Sequence, residues 1–335
     1  MQGTQGQFQR LPHLAGGYNS SFAQNISDDG FTLVGFTDIV GTADSRSGWY
    51  WNAEDGTVEV PKLPGYLQCE IYDCSADGSV VVGGCRDSDA SGLWMPILWS
   101  QATGTIGLLG ASSTSTQIAY GVSADGTRVI GRHDASTTGG GFLWTQATGP
   151  IELEIPPDPT PAGFVCIPTC ISGDGSLVGG QYSRTVLGVQ TLPPAIWSGV
   201  DGSFIEVPTL PGGWAGSSGC INAFSYDGSL ALGGSAAQYG GGSTVDLSRH
   251  GKTIVGRGMN AFLWDGATST LISTTTSPTN RTFRRPVSGT VVKLNRTIDL
   301  QNIILTAGDG VVYASYAPQI SNPSRSEAVR ISMFA

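Results

Sequence analysis

One tetrad recurs along the chain and decides most of what it can fold into: Ser, any residue, Asp, Gly, with the Ser at positions 27, 75, 123, 172 and 225, at intervals of 48, 48, 49 and 53 residues. A sixth copy, Ser248-Arg-His-Gly251, comes early. Asp-Gly between two β-prone runs is a hairpin signal, because Gly takes a positive φ freely and Asp tolerates left-handed geometry. An apolar run closing on Gly follows each turn: Val80 to Gly83, Val129 to Gly131, Leu177 to Gly179, Leu230 to Gly233 and Ile254 to Gly256. Further on, each repeat carries a second strand ending in Trp51, Trp99, Trp144, Trp197 or Trp264 and followed by a turn. Two hairpins per repeat, at a period near 48, make a four-stranded unit, the signature of a β-propeller blade.

Hydrophobic patterning supports stacked blades over a sheet with one wet face. A half-exposed strand alternates apolar and polar residues, whereas Val80 to Val82 and Leu230 to Leu232 are continuous runs that need cover on both faces. The Gly closing each run permits close backbone approach, and the Trp of each second hairpin is expected in the wedge between blades. The expected fold is all-β: a propeller of about six four-stranded blades, within a range of five to seven, plus a small C-terminal β-unit.

A Ser-x-Asp-Gly hairpin followed by an aromatic-Leu-Trp strand and a Thr-Gly turn resembles the HAF-repeat family, also described as extracellular or autotransporter-type repeats. The resemblance covers roughly residues 10 to 272. The His-Ala-Phe triplet itself is absent, the matching positions being Asn260-Ala261-Phe262, Gly140-Gly141-Phe142, Pro96-Ile97-Leu98 and Pro194-Ala195-Ile196. The resemblance implies export to a surface and a structural or adhesive role, and it supplies no catalytic residues.

Composition sets the surroundings. Charged residues make up 13% of the 335, against about 25% in ordinary globular domains, and lysine occurs only at 62, 252 and 293. From Thr275 onward seven basic residues stand against three acidic ones, a balance of +4, which leaves −13 for the rest of a chain whose total is −9. An acidic body argues against nucleic-acid binding by the propeller. The basic tail (Arg281, Arg284, Arg285, Lys293, Arg296) is a candidate assembly surface for other copies of the chain or other particle proteins; a merely solvated basic edge is the alternative.

Six cysteines show no zinc-ligand spacing. Cys69 and Cys85 are equidistant from the Asp77 turn, so a disulfide between them is open, although buried free thiols acting as small apolar fillers are the preferred reading. The N-terminus has no basic segment followed by an apolar one, and nothing approaches the ~20 apolar residues of a membrane span. An extracellular or virion setting without a signal peptide in this chain, and without membrane insertion, is the expectation.

The run Phe8 to Gly17 matches the ends of later repeats, such as Val60-Pro-Lys-Leu-Pro-Gly65. The first strand is therefore expected to complete a blade built from later chain, closing the ring. The fifth repeat is irregular: the sixth Ser-x-x-Gly hairpin arrives with no Trp hairpin between, through loss of a half-blade or a long Gly-rich loop. A Thr/Ser/Pro-rich break at 273–280 divides the expectation into a propeller over 1–274, with its N-terminal closing strand, and a β docking or oligomerisation unit over 275–335, a degenerate last blade being the alternative. Insertions between the two hairpins of each repeat all project from one rim, where propellers bind ligands.

The chemistry is sparse. Ser of the tetrad has no recurring His, so Ser and Asp are read as bonding turn amides. The Gly-rich runs lack the Lys-Ser/Thr of a phosphate-binding loop, no ligand-dense calcium spacing occurs, and no cofactor is expected. Non-repeating acids Glu70, Asp73, Glu152 and Glu154 are the better candidates for carboxylate catalysis, with no pair singled out. Trp49, Tyr50, Trp94 and Trp214 could stack on sugar rings, with inter-blade packing as the competing role, and His133 sits in a rim loop. The expected function is non-enzymatic: a structural or adhesive surface protein, foremost a virion component decorating a capsid or tail or contacting host-surface glycan. The alternatives are a secreted bacterial surface adhesin and a polysaccharide-acting propeller glycosidase or lyase.

Overall fold

The computed structural model describes residues 6–12, 14, 18–39, 46–87, 92–109, 116–134, 139–154, 166–186, 189–207 and 219–235, together with the backbone of the strands named below between 245 and 333. After β1 (Gly6–Arg10), blade 1 comprises β2 (Tyr18–Ile26), β3 (Leu33–Ile39), β4 (Arg46–Asn52) and β5 (Gly56–Glu59). Blade 2 comprises β6 (Gln68–Cys74), β7 (Val80–Arg86), β8 (Trp94–Ser100) and β9 (Gly104–Gly107), and blade 3 comprises β10 (Thr116–Val122), β11 (Arg128–Asp134), β12 (Gly140–Thr145) and β13 (Gly149–Glu152). Blade 4 uses β14 (Cys166–Ile171) and β15 (Leu177–Tyr182), then carries an inserted hairpin, β16 (Arg184–Val186) and β17 (Val189–Thr191), before β18 (Pro194–Ser198) and β19 (Phe204–Ile205).

The next two blades are interlaced. β20 (Gly219–Phe224) and β21 (Ala231–Ser235) begin blade 5; β22 (Val245–Leu247) and β23 (Thr253–Arg257) belong to blade 6. The chain then returns with β24 (Ala261–Trp264) and β25 (Ser269–Ile272) to complete blade 5, and β26 (Thr282–Pro286) and β27 (Val292–Lys293) complete blade 6. The early sixth hairpin is thus the inner half of a new blade, and the Trp264 strand belongs to the blade before it. Blade 7 is β28 (Asn302–Thr306), β29 (Val312–Pro318), β30 (Ser326–Met333) and, as its outer strand, β1, antiparallel to β30 with Phe8 opposite Ile331.

All seven four-stranded sheets among the described residues are antiparallel, and the first strand of each contacts the first strand of the next, from β2 through β6, β10, β14, β20 and β22 to β28, which returns to β2. The described residues form a seven-bladed β-propeller. Pairing crosses the boundary expected at 274/275, since β26 joins β23 and β30 joins β1. The tail lacks the tetrad and the Trp, yet its strands occupy the same positions in the sheets as those of the repeats.

The core is a series of layers between blades. Val82, Leu98 and Leu108 of blade 2 pack with Ala119, Val122, Val129 and Trp144 of blade 3, while Ile130, Leu143 and Leu153 of blade 3 meet Val178, Ala195 and Trp197 of blade 4. Trp197 is wholly buried, and its indole N–H donates to the Glu154 carbonyl at 2.8 Å, tying blade 4 to blade 3. The tetrad turns form a belt on one rim: the Ala76 amide donates to the Ala124 carbonyl (3.0 Å), Ala124 to Gly173 (2.9 Å) and Asp174 to Tyr226 (2.8 Å). Within each turn the buried Ser accepts an amide and donates to the Asp, as with Ser123 and Asp125 at 2.5 Å.

Each inner strand from β2 through β20 carries a bulge three residues before the tetrad Ser, at Gln24, Tyr72, Tyr120, Thr169 and Asn222. The bulge presses a carbonyl against the Gly of the next strand. A Cβ on Gly131 would lie 2.2 Å from the Ile118 carbonyl oxygen, and one on Gly83 would lie 2.0 Å from that of Glu70, so no larger residue fits. Bulges re-aim side chains and gather near functional sites.

Candidate functional site on the loop rim

Inner strands end at the tetrad turns, so their early residues lie toward the opposite rim, where the inter-hairpin loops emerge. On blades 1 to 3 this half of the molecule holds a polar cluster. Glu70, on β6, is 3% exposed. Its Oε1 accepts from Arg46 Nη1 of β4 at 2.7 Å, and its Oε2 accepts the hydroxyl of Tyr72 in a short hydrogen bond. Arg46 also reaches Asp38 of β3 at 3.2 Å, directly across the strand pair, and lies over the Phe36 ring at 4.9 Å. Burial pulls the Arg46 guanidinium down, but Glu70 and Asp38 outweigh it and hold it above its ordinary value.

The two bulged tyrosines meet beside this cluster, nearer the turns, the Tyr72 and Tyr120 rings standing 5.5 Å apart, and Arg132 of β11 lies 5.8 Å from the Tyr120 ring centre. Burial first, then the charge and hydrogen bond of Glu70, push the Tyr72 hydroxyl far above its ordinary value, so the phenol keeps its proton in the resting protein. A hydroxyl bonded to a buried carboxylate, with that carboxylate oriented by a guanidinium, is the arrangement of a nucleophile, its base and the group that positions the base.

The other candidate acids serve the scaffold or stand apart. Asp73 accepts the Val122 amide at 2.8 Å and also bonds Asn25 and the Cys74 amide, bridging blades 1, 2 and 3. Glu154 accepts the Phe204 amide at 2.8 Å across to blade 4. Glu152 is exposed and pairs with half-buried His133 at 2.8 Å on blade 3. Among the described residues no group of three or more His, Cys, Asp or Glu could hold a metal ion.

Among the described residues the aromatic candidates do not form one surface. Trp49 is fully buried, wedged where a Cβ on Gly35 would come within 2.8 Å of its ring, so its assignment to a ligand surface is corrected to packing. Tyr50, on the opposite face of the same strand, stacks on Trp99 of blade 2 at 5.1 Å. Trp94 is half-buried and covers Gly84. Trp214, Arg281 and Arg296 lie outside the described residues; Arg284, Arg285 and Lys293 sit on β26 and β27 within blade 6, and their side chains lie outside them too. Cys69 and Cys85 face each other in register and form a disulfide, in place of the free thiols preferred from sequence. Sequence reasoning singled out Glu70 but missed Tyr72, Tyr120, Arg46, Asp38 and Arg132. The available signal was departure from the repeat at the bulge: Gln24, Thr169 and Asn222 in other blades give way to Tyr in blades 2 and 3.

No family model and no curated protein matches the chain. Solved structures do. The oligogalacturonate lyase of Vibrio parahaemolyticus aligns with a TM-score of 0.57 at 11% identity, over 97% of this chain and 93% of that one. An oligogalacturonate lyase in complex with manganese gives 0.55 at 11% identity, over 100% and 99%. The β-propeller domain of the Trilobed protease from Pyrococcus furiosus gives 0.55 at 9% identity, over 94% of each. At these identities the likeness is one of fold: the chain is a β-propeller. The expectation of a structural or adhesive virion component is corrected here. Two of the neighbours aligned over 93% or more of both chains are oligogalacturonate lyases, a likeness of fold that gives no support to a virion role.

Proposed function

We propose that the protein is a propeller that cleaves polysaccharide, with Tyr72 and Glu70 as its reacting pair and Arg46 positioning Glu70. The observation that carries this is the hydrogen bond from the Tyr72 hydroxyl to the 3%-exposed Glu70 carboxylate, itself held by Arg46 at 2.7 Å. A phenol whose proton is held tightly is a poor spontaneous phenolate but a strong nucleophile or base once that proton passes to Glu70. Tyr is an established nucleophile in some glycosidases, and the same phenolate could take a proton from sugar carbon in an elimination. The Tyr120 ring, beside Tyr72, offers an apolar face for a sugar ring. The oligogalacturonate lyases of the same fold support a saccharide substrate. The Cys69–Cys85 disulfide supports action in an oxidising, extracellular setting.

The test is a panel of neutral and uronic-acid polysaccharides, read for new reducing ends and for the ultraviolet absorbance of an unsaturated uronate. Reducing ends without absorbance mean hydrolysis; both together mean elimination. Tyr72→Phe and Glu70→Gln are each expected to lower turnover by about 10²-fold or more. Saturable binding with no product from any polysaccharide would make the rim a binding surface and overturn the catalytic reading.

A further inference from the structure

Cys74 and Cys166 are reduced and buried in apolar layers of separate blade interfaces. The remaining two reduced cysteines are placed differently. Cys170 lies on the inner strand of blade 4 and Cys220 on that of blade 5, and these strands are neighbours around the ring. The Cys170 sulfur stands 3.6 Å from the Ile221 carbonyl oxygen, and the Cys220 sulfur stands 3.3 Å from the same atom. Thr169 reaches that oxygen as well, with its hydroxyl 3.5 Å from the Cys220 sulfur. Both strands bulge at this level, between Pro168 and Cys170 and between Ile221 and Ala223. Two thiols from adjacent blades therefore converge on one backbone oxygen.

We propose that Cys170 and Cys220 are a modification site, closing into a second disulfide that staples blade 4 to blade 5. Each sulfur is free to turn about its Cα–Cβ bond between staggered positions. The reaction is exchange with a small disulfide such as oxidised glutathione. One thiolate attacks it, releasing one carrier thiol and leaving a mixed disulfide, which the second thiolate resolves by releasing the other carrier thiol. The cysteine pair loses two electrons, the carrier disulfide gains them, and the two protons end on the carrier thiols. Burial raises the Cys220 thiol to about 11, with the Thr169 hydrogen bond pulling the other way, so thiolate is scarce once the blades have docked. Closure belongs to folding, while blade 5 is still settling on blade 4. The Cys69–Cys85 bond within blade 2 needs the same oxidising surroundings.

The test is a peptide map of the full chain folded in a glutathione redox buffer, then denatured without reductant, alkylated with iodoacetamide and digested. The expected result is a Cys170–Cys220 linked peptide, with alkylation reduced from the four reduced cysteines to Cys74 and Cys166 alone. Alkylation of all four, or linkage of Cys170 or Cys220 to Cys74 or Cys166, would overturn the proposal. Cys170→Ser is expected to leave Cys220 alkylated; should that variant fail to fold, the wild-type map decides alone. None of these outcomes depends on the saccharide reading.

Discussion

Blades 1 to 5 present the same turn on one rim of the ring and different side chains at the bulge that leads into it. On the turn rim, Ser75, Ser123, Ser172 and Ser225 each donate to the Asp two residues on and accept the amide five residues on. Backbone bonds then pass from one turn to the next. At the bulges that lead into those turns, equivalent positions hold Gln24, Tyr72, Tyr120, Thr169 and Asn222, and among the described residues the tyrosines are the ones that lie in a cluster with a buried carboxylate and arginines. The difference teaches where to look in a repeat protein. Repeated residues hold the ring together, and positions that break the repeat without breaking the fold are free to carry chemistry.

The largest effect on stability is expected where the repeat meets the bulge. A Cβ at Gly131 would sit 2.2 Å from the Ile118 carbonyl oxygen and 2.4 Å from the Phe142 ring. Gly131→Ala should therefore cost about 3 kcal/mol in urea unfolding. Ser123→Ala, which strips the turn of one donor and one acceptor, should cost about 1–2 kcal/mol and leave saccharide turnover unchanged. Loss of turnover in Ser123→Ala would blur the division between turn and bulge.

Acid provides a graded probe of the same belt. Hydrogen bonds from Ser229 and Ser225 hold the Asp227 carboxyl below its ordinary value, and the Ser79 amide and its neighbours do so for Asp77. For Asp125 and Asp174 burial pushes the other way, and bonds from the turn Ser and the following residues outweigh it. A carboxyl depressed by folding stabilises the native state above the unfolded pKa of about 3.9. That stabilisation is lost as pH falls through the lower native value. Thermal melts should thus fall steeply below about pH 4, and Asp125→Asn should make that fall shallower. A melting temperature level from neutral pH down through that range would contradict the role given to the turns.

How much was legible in advance follows the same division. The tetrad announced its hairpins because Asp-Gly chemistry is local, and the continuous apolar runs announced inter-blade packing because each strand carries its own burial pattern. The interlacing of blades 5 and 6 was not legible: the order of hairpins along the chain does not say which sheet the Trp264 strand rejoins. Nor was the cluster, because Asp38, Arg46, Glu70, Tyr120 and Arg132 are brought together by the pairing of β3 with β4 and by the stacking of three blades. Trp49 misled as a candidate ligand residue because it stands beside Tyr50 in sequence, while alternation along β4 sends the two rings to opposite faces.

The largest effect on activity should fall on one residue. Tyr72→Phe removes a single hydroxyl from a buried carboxylate that keeps its bond to Arg46, and since hydrogen bonds to charged groups are worth about 1.5–3 kcal/mol, its cost should fall in that range. The decisive measurement sets its turnover on a cleaved polysaccharide beside that of the wild type and of Ser123→Ala, with a melt of each. The expected result is a Tyr72→Phe protein that still melts as a folded protein and has lost about 10²-fold or more of its turnover, with Ser123→Ala comparably destabilised and fully active. Wild-type turnover in Tyr72→Phe would contradict the assignment of the Tyr72–Glu70 cluster as the site of chemistry.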